Sequence, residues 1–324
     1  MSIRKRLFGI WLMAMALLSL GAFTTYYVAQ MRLRILQDAY LTLSVLQLIT
    51  LIIYLWGPEK LKFRPFKAIY HLFFASSLFV IPAFVFIFFA LVSQYHVRIP
   101  ESIDASALEA KELLPSQETV IYNTGSVYVF FPEYSGIELA CGDRPSKKDS
   151  SITWCCGAAF QHTVTLGFSQ ENIEGDHAEK GVLYESPYNK DSFAAFTYAN
   201  NEFAFEFDEP TLAMKKAAEA GGSGFMQFGL IRDGEVVMDF KMPRTRCFRA
   251  LAELNGHVCI IDSVKMMHFD DFLAELQEIG VTNAVYMDMG AGWNYSWYRR
   301  ASGKVKTLFG LPVPWSHNWI VFKS

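Results

Sequence analysis

Charge is scarce in this sequence, and so are the residues that most often carry recognisable chemistry. Only 19% of the 324 residues are Asp, Glu, Lys or Arg, against 52% that are apolar, which excludes a disordered or collagen-like chain. The seven histidines never fall at the HxxxH or HExxH spacings of zinc hydrolases. The five cysteines, at 141, 155, 156, 247 and 259, lack the two-residue spacing of paired zinc ligands. No glycine-rich nucleotide loop follows a strand pattern. Residues 99–324 hold nineteen basic against thirty acidic residues and no basic stripe, so a nucleic-acid partner is excluded.

What is present divides into two parts. Residues 1–98 carry ten Lys and Arg against two acidic residues and contain three apolar stretches, Leu7 to Ala29, Ala39 to Trp56 and Ala68 to Tyr95, without a single charge. A helix needs about 20 apolar residues to cross a hydrocarbon core, so these predict a three-span membrane anchor with the lipid bilayer as a partner. Arg4, Lys5, Arg6, Lys60, Lys62, Arg64 and Lys67 outnumber Arg32, Arg34 and Arg98 across the short loops. That bias predicts a multi-pass protein of the cytoplasmic membrane with its carboxy-terminal domain extracytoplasmic. No span carries a carboxylate, which argues against transport and leaves an anchor or a bundle that binds a membrane-protein partner.

Residues 99–117 form a polar connector, and 118–324 form the folded domain. Short runs rich in β-branched and aromatic residues recur at 119–122, 126–131, 162–167, 193–198, 225–231, 235–240, 248–254 and 257–261 and read as strands. Asp233-Gly234 and Asn255-Gly256 are tight hairpin turns, which imply antiparallel pairing. Pro210 opens a helix over 211–220 that ends at Gly221 and Gly222. Phe272, Leu273, Leu276 and Ile279 give 270–279 one apolar face, closed by Gly280. Residues 281–287 follow as a strand that delivers Asp288 to a glycine-containing loop. The expected class is α+β, a large and mainly antiparallel sheet with a few packing helices, preceded by an α-helical transmembrane region.

Residues 288–299 are the most unusual segment. Asp288 can act as a base or hold a metal, Gly290 and Gly292 let backbone amides approach a ligand, and Arg299 can grip a phosphate bidentately. Trp293, Trp297 and Tyr298 offer flat faces to a sugar ring, with Asn294 and Ser296 as polar neighbours. His317, beside Asn318, is a candidate base or phosphate donor. In an exported domain Cys141 can pair with Cys155 or Cys156; Cys247 and Cys259 read as buried thiols.

The order from the Asn255-Gly256 hairpin through the helix, Gly280 and the strand ending in Asp288, Met289, Gly290, Ala291 and Gly292 resembles the carboxy-terminal core of the phosphodiester glycosidase family. That family includes the enzyme that uncovers mannose 6-phosphate by removing N-acetylglucosamine from a phosphodiester. Residues 155–160 and 317–322 are similar to its upstream signature and closing strand. Met289 replaces a glycine, Trp293 stands where a small hydroxyl residue is expected, and the upstream asparagine is absent, so the chain resembles a divergent member with added transmembrane helices. The resemblance implies a hydrolase acting on a sugar 1-phosphodiester or related envelope glycan at the outer membrane face. Arg246 or Arg249, with Arg299, would neutralise phosphate, while Asp288 would orient water or hold a divalent cation such as calcium. A paired-carboxylate mechanism would also need a second acid, for which Glu185, Glu206 and Asp262 are candidates. The alternative is a non-catalytic carbohydrate-binding or envelope assembly membrane protein.

Overall fold

The structure is a computed structural model that describes residues 102–104, 119–161, 169–188, 193–238, 245–289, 295–310 and 317–324. The chain divides into units 1–96 and 97–324, and all the described residues belong to the second.

Its strands, in chain order, are β1 (Ile103–Asp104), β2 (Val120–Asn123), β3 (Val127–Phe131), β4 (Gly136–Cys141), β5 (Ile152–Gly157), β6 (His177–Glu179), β7 (Val182–Tyr184), β8 (Phe193–Ala199) and β9 (Glu202–Glu206). Helix α1 (Pro210–Glu219) then leads to β10 (Ser223–Arg232), β11 (Glu235–Val236), β12 (Arg249–Leu254) and β13 (His257–Ser263). Helix α2 (Phe269–Glu278) precedes β14 (Asn283–Tyr286), β15 (Tyr295–Arg299), β16 (Val305–Gly310) and β17 (Asn318–Lys323).

Turn chemistry builds the hairpins. Asp233 and Gly234 have φ of 51° and 84°, and Asn255 and Gly256 have 52° and 77°, the two left-handed residues a tight hairpin needs. Asn200-Asn201 and Lys180-Gly181 do the same between β8 and β9 and between β6 and β7. The result is a twelve-stranded sheet along β1-β2-β3-β13-β12-β14-β10-β6-β7, with β8, β9 and β11 joined off β10, and a second sheet ordered β16-β15-β5-β17-β4. Among the described residues only β1 and β2 pair in parallel.

The period-two alternation of strand side chains distributes the core over two layers. Leu251, Ile260 and Val285 face the small sheet's Trp154, Ile320 and Phe322. Their neighbours Ala250, Ala252, Ile261 and Ala284 point the other way, under Phe269, Phe272, Leu273 and Leu276 of α2. Helix α1 covers β6, β8 and β10 through Met214 and Ala218.

β4 and β5 both pair antiparallel with β17 and therefore run parallel to each other, so residues 142–151 must cross back over the small sheet. Arg299 fastens that crossing: Nε donates to Ile152 O at 2.9 Å, and Nη2 donates to Lys147 O at 3.0 Å and Asp149 O at 2.7 Å.

Two expectations are corrected here. The domain is built on two sheets rather than one. An α-helical transmembrane region, and with it a multi-pass location in the cytoplasmic membrane, is not what the structure describes: among the described residues no helix is long and apolar enough to cross a membrane. α1 and α2 have ten residues each, about 15 Å of helix against a hydrocarbon core of about 30 Å, and each spends its one apolar face on a sheet. The stretches 7–29, 39–56 and 68–95 lie outside the described residues, as does the strand expected over 162–167.

Candidate functional site

Three strand ends meet around residues 157–161. β14 ends at Tyr286, and the chain continues until the Asp288 N–H donates to Ala158 O at 2.9 Å. From β17, Asn318 Oδ1 accepts from the Ala159 N–H at 2.7 Å, and its Nδ2 donates to Ala159 O at 3.1 Å. Gln161 Oε1 accepts from the His317 N–H at 2.9 Å and from Asn318 Nδ2 at 3.2 Å. The Asp288 turn, the end of β5 and the start of β17 are thus locked by backbone and amide groups, and Asp288 brings a half-buried carboxylate to the junction.

β12 starts on the other side of β14, with Ala250 opposite Tyr286 and the Met287 N–H donating to Arg249 O at 3.0 Å. Arg246 lies just before it, its backbone fixed by a two-way bridge to Met267 at 3.0 and 2.9 Å. Its side chain is exposed. Tyr286 is buried and feels the charge of both Asp288 and Arg246. Burial pushes its phenol well above the usual range, the Asp288 carboxylate adds to that rise, and the Arg246 guanidinium opposes it. The phenol therefore stays protonated, a hydrogen-bond donor within the fields of Asp288 and Arg246.

The other two candidate arginines are already spent. Arg249, fully buried between the sheets, donates from Nε to Asp262 Oδ1 and from Nη2 to Asp262 Oδ2, both at 2.6 Å, and from Nη2 to Ser296 Oγ at 3.2 Å. Arg299 donates to four carbonyls, the fourth being Gly303 O at 3.0 Å. Among the described residues, Arg246 makes no ion pair with its guanidinium.

Other predicted site residues have structural surroundings. Trp297 is buried with Cys155, Tyr295, Trp319 and Val321, so its ring offers no open face to a sugar. Ser296 is buried under Arg249. His317 Nδ1 lies 3.3 Å from Gly142 O, which positions the ring at the end of β4. Gly290, Gly292, Trp293 and Asn294 lie outside the described residues.

Among the proposed second acids, Asp262 is held by Arg249. Glu206 Oε1 accepts from the Asp208 and Glu209 N–H groups at 2.8 and 3.2 Å. Glu185 faces Lys215 at 3.7 Å on the surface. All five cysteines are free thiols. β17 lies between Cys141 and the Cys155-Cys156 pair, a separation of about 10 Å across two strand spacings, beyond the reach of a disulfide.

Among the described residues no three His, Cys, Asp or Glu side chains gather to hold a metal, and Asp288 by itself falls short of the six or more oxygens that calcium takes. The residues described do not make a calcium cage. Sequence reasoning missed Tyr286 and Gln161. Tyr286 lies within the segment read as a strand, two positions before Asp288, where the alternation of a strand returns to the same face.

The fold and site together define a two-sheet, mainly antiparallel domain with an aspartate, a buried tyrosine and an exposed arginine near converging strand ends. No family model and no curated protein matches the chain. Among solved structures, the zebrafish N-acetylglucosamine-1-phosphodiester alpha-N-acetylglucosaminidase catalytic domain, auto-inhibited by its pro-peptide, is similar at 11% identity and a TM-score of 0.42. The match covers 61% of this chain and 76% of that one. This is a distant likeness, and it carries no argument about the site.

Proposed function

We propose that this chain is a hydrolase of sugar 1-phosphodiesters, with Asp288 and Arg246 as its working pair. The observation that carries the reading is the state of the arginines. Arg249 and Arg299 are consumed by Asp262 and by backbone carbonyls, whereas Arg246 stands exposed and, among the described residues, without an ion pair beside the strand end that presents Asp288. The motif resemblance around Asp288 supplies the substrate class.

In this reading the Arg246 guanidinium takes two oxygens of the phosphodiester, and Asp288 orients a water molecule and accepts its proton. Water oxygen bonds to the anomeric carbon, the bond from that carbon to the phosphate oxygen breaks, and a free sugar and a phosphomonoester leave. A glycosidase acting on an ordinary glycoside needs a second carboxylic acid to protonate the departing oxygen. A phosphomonoester departs as a stable anion, so Arg246 can neutralise the charge that an acid would otherwise quench. This accounts for a site in which Glu185, Glu206 and Asp262 are engaged elsewhere. No step is routed through a metal.

Those engaged carboxylates also favour a second reading, a non-catalytic site that binds the sugar phosphodiester without cleaving it. Incubating the full chain with a panel of sugar 1-phosphodiesters, and following sugar and phosphomonoester together, separates the two. Saturable binding without release of either product would establish the binding role and reject hydrolysis.

A further inference from the structure

A second group of cations stands apart from Arg246. The crossing segment 142–151 brings two basic side chains to one aromatic ring: the Arg144 guanidinium carbon lies 4.7 Å from the Tyr295 centroid and Lys147 Nζ lies 5.3 Å from it. Both are within the range at which a ring face attracts a cation. Lys147 Nζ also donates to Thr307 Oγ1 at 2.6 Å, and the Tyr295 hydroxyl donates to Pro145 O at 3.3 Å. Ring, lysine and loop are therefore fixed with respect to one another before any ligand arrives.

The charge of this group is uncompensated. Among the described residues neither Arg144 nor Lys147 forms an ion pair with a carboxylate. Asp149 uses its Oδ1 on the Ser151 N–H and hydroxyl at 3.0 and 2.7 Å. Burial, followed by the neighbouring Arg144 charge, lowers the Lys147 ammonium below its usual range. Two like charges held together at a partly buried ring cost free energy that a bridging anion recovers.

The strand that carries the ring also borders β5. β15 pairs with β5 so that Trp297 faces Cys155 and Tyr298 faces Trp154. Tyr295 opens this same strand, and β5 runs on to the Ala158 carbonyl that takes the Asp288 N–H.

We propose that Arg144 and Lys147, gathered over Tyr295 beside the Thr307 hydroxyl, form a binding site for a phosphoryl anion. The guanidinium supplies a planar fork and the ammonium a point charge, the combination that suits a phosphate dianion. The site does not depend on the reading of Asp288 as catalytic. It takes free phosphate or the phosphate of a sugar phosphate by the same chemistry.

The test is calorimetric titration of the full chain with inorganic phosphate and, in a separate arm, with a sugar 1-phosphate. The parent chain binds phosphate, and R144Q/K147Q weakens that binding by about tenfold or more. R144K keeps most of the affinity, and added salt weakens it. Tighter binding in the sugar phosphate arm assigns the anion to a sugar-linked source, and equal binding assigns it to the phosphate alone. Equal near-ultraviolet circular dichroism for parent and variants establishes that the ring environment is intact. Unchanged affinity in folded R144Q/K147Q, or no binding by the parent up to about 10 mM phosphate, overturns the proposal. Loss of all phosphate binding in R246Q, with R144Q/K147Q unaffected, places the anion beside Asp288 and overturns the second site while leaving the hydrolase reading standing.

Discussion

Removing Asp262 tests the claim that Arg249 is a structural cation rather than a phosphate ligand. Asp262→Ala takes away a carboxylate that receives two 2.6 Å hydrogen bonds from a fully buried guanidinium and leaves that charge between two sheets. Its remaining described partners include the Ser296 hydroxyl at 3.2 Å and the Cys156 sulfur. Breaking a buried pair on one side costs about 3–5 kcal/mol. In a domain of this size that is a fall in Tm of about 6–20 °C. Because Ser296 lies in β15 of the small sheet, the loss should loosen the contact between the sheets. Arg249→Met with Asp262→Leu replaces both charges by apolar volume and should recover most of the loss, giving a coupling of about 2 kcal/mol or more in a double-mutant cycle. Urea unfolding of the parent chain, Arg249→Met, Asp262→Leu and the double variant measures it, with Asp262→Ala run beside them. If Asp262→Ala costs less than about 1 kcal/mol, the buried pair does not have the role assigned to it. If the double variant is stable but loses all affinity for phosphate, Arg249 is a ligand after all.

Arg299→Ala should lower stability by about 2 kcal/mol or more, since its carbonyl partners lose charge-assisted donors, while phosphate affinity by calorimetry stays unchanged. His177 is fully buried, with Nε2 2.8 Å from Gln170 Oε1, and burial holds it down to about 4. Between pH 6.5 and about 4 the unfolded chain binds a proton that the folded chain refuses, so stability falls as pH falls across that window, by about 3 kcal/mol in all. His177→Gln should flatten that slope in pH-dependent urea melts. Gly256→Ala places a side chain at φ 77° and should cost about 1–2 kcal/mol, read by thermal unfolding. Burial raises the thiols of Cys155, Cys156 and Cys259, so these three should resist alkylation at pH 8 in the native chain. All five thiols should react after unfolding without reductant, as mass spectrometry will show.

The parts of this fold that sequence reasoning reached are those written in local chemistry. Asp233-Gly234 and Asn255-Gly256 declare their hairpins because few other residues accept two successive left-handed conformations. The apolar stripe of α2 and Gly280, at φ 85°, declare a helix and its end. The small sheet was harder to see. β5 is buried at all six positions, between the large sheet on one side and the face crossed by residues 142–151 on the other, so it shows no alternation. The same double burial turned Trp297 into an apparent sugar platform when it is a core side chain. Asn200-Asn201 carried a hairpin signal that was available and passed over.

The site was legible in outline and misread in its arginines. Asp288 at a strand end follows from the unit of α2 and β14. The fate of Arg249 depends on a partner thirteen residues away, yet the hairpin contains that information. With a two-residue turn at Asn255-Gly256, the sixth residue before the turn faces the sixth after it, and these are Arg249 and Asp262. Counting outward from the turn would have paired them and left Arg246 as the available cation. No such arithmetic reaches Arg144 and Lys147, because their meeting with Tyr295 depends on the crossing over the small sheet.

The most direct test of the account is turnover of sugar 1-phosphodiesters by the purified full chain, with Asp288→Asn and Arg246→Gln run beside it. The account predicts equal release of sugar and phosphomonoester by the parent chain, a fall of about a hundredfold or more in kcat for Asp288→Asn, and a fall of about tenfold or more in kcat/KM for Arg246→Gln. Both variants should keep the parent's unfolding midpoint within a few degrees. No release by a folded parent chain across the panel, or turnover by Asp288→Asn at the parent rate, would contradict it.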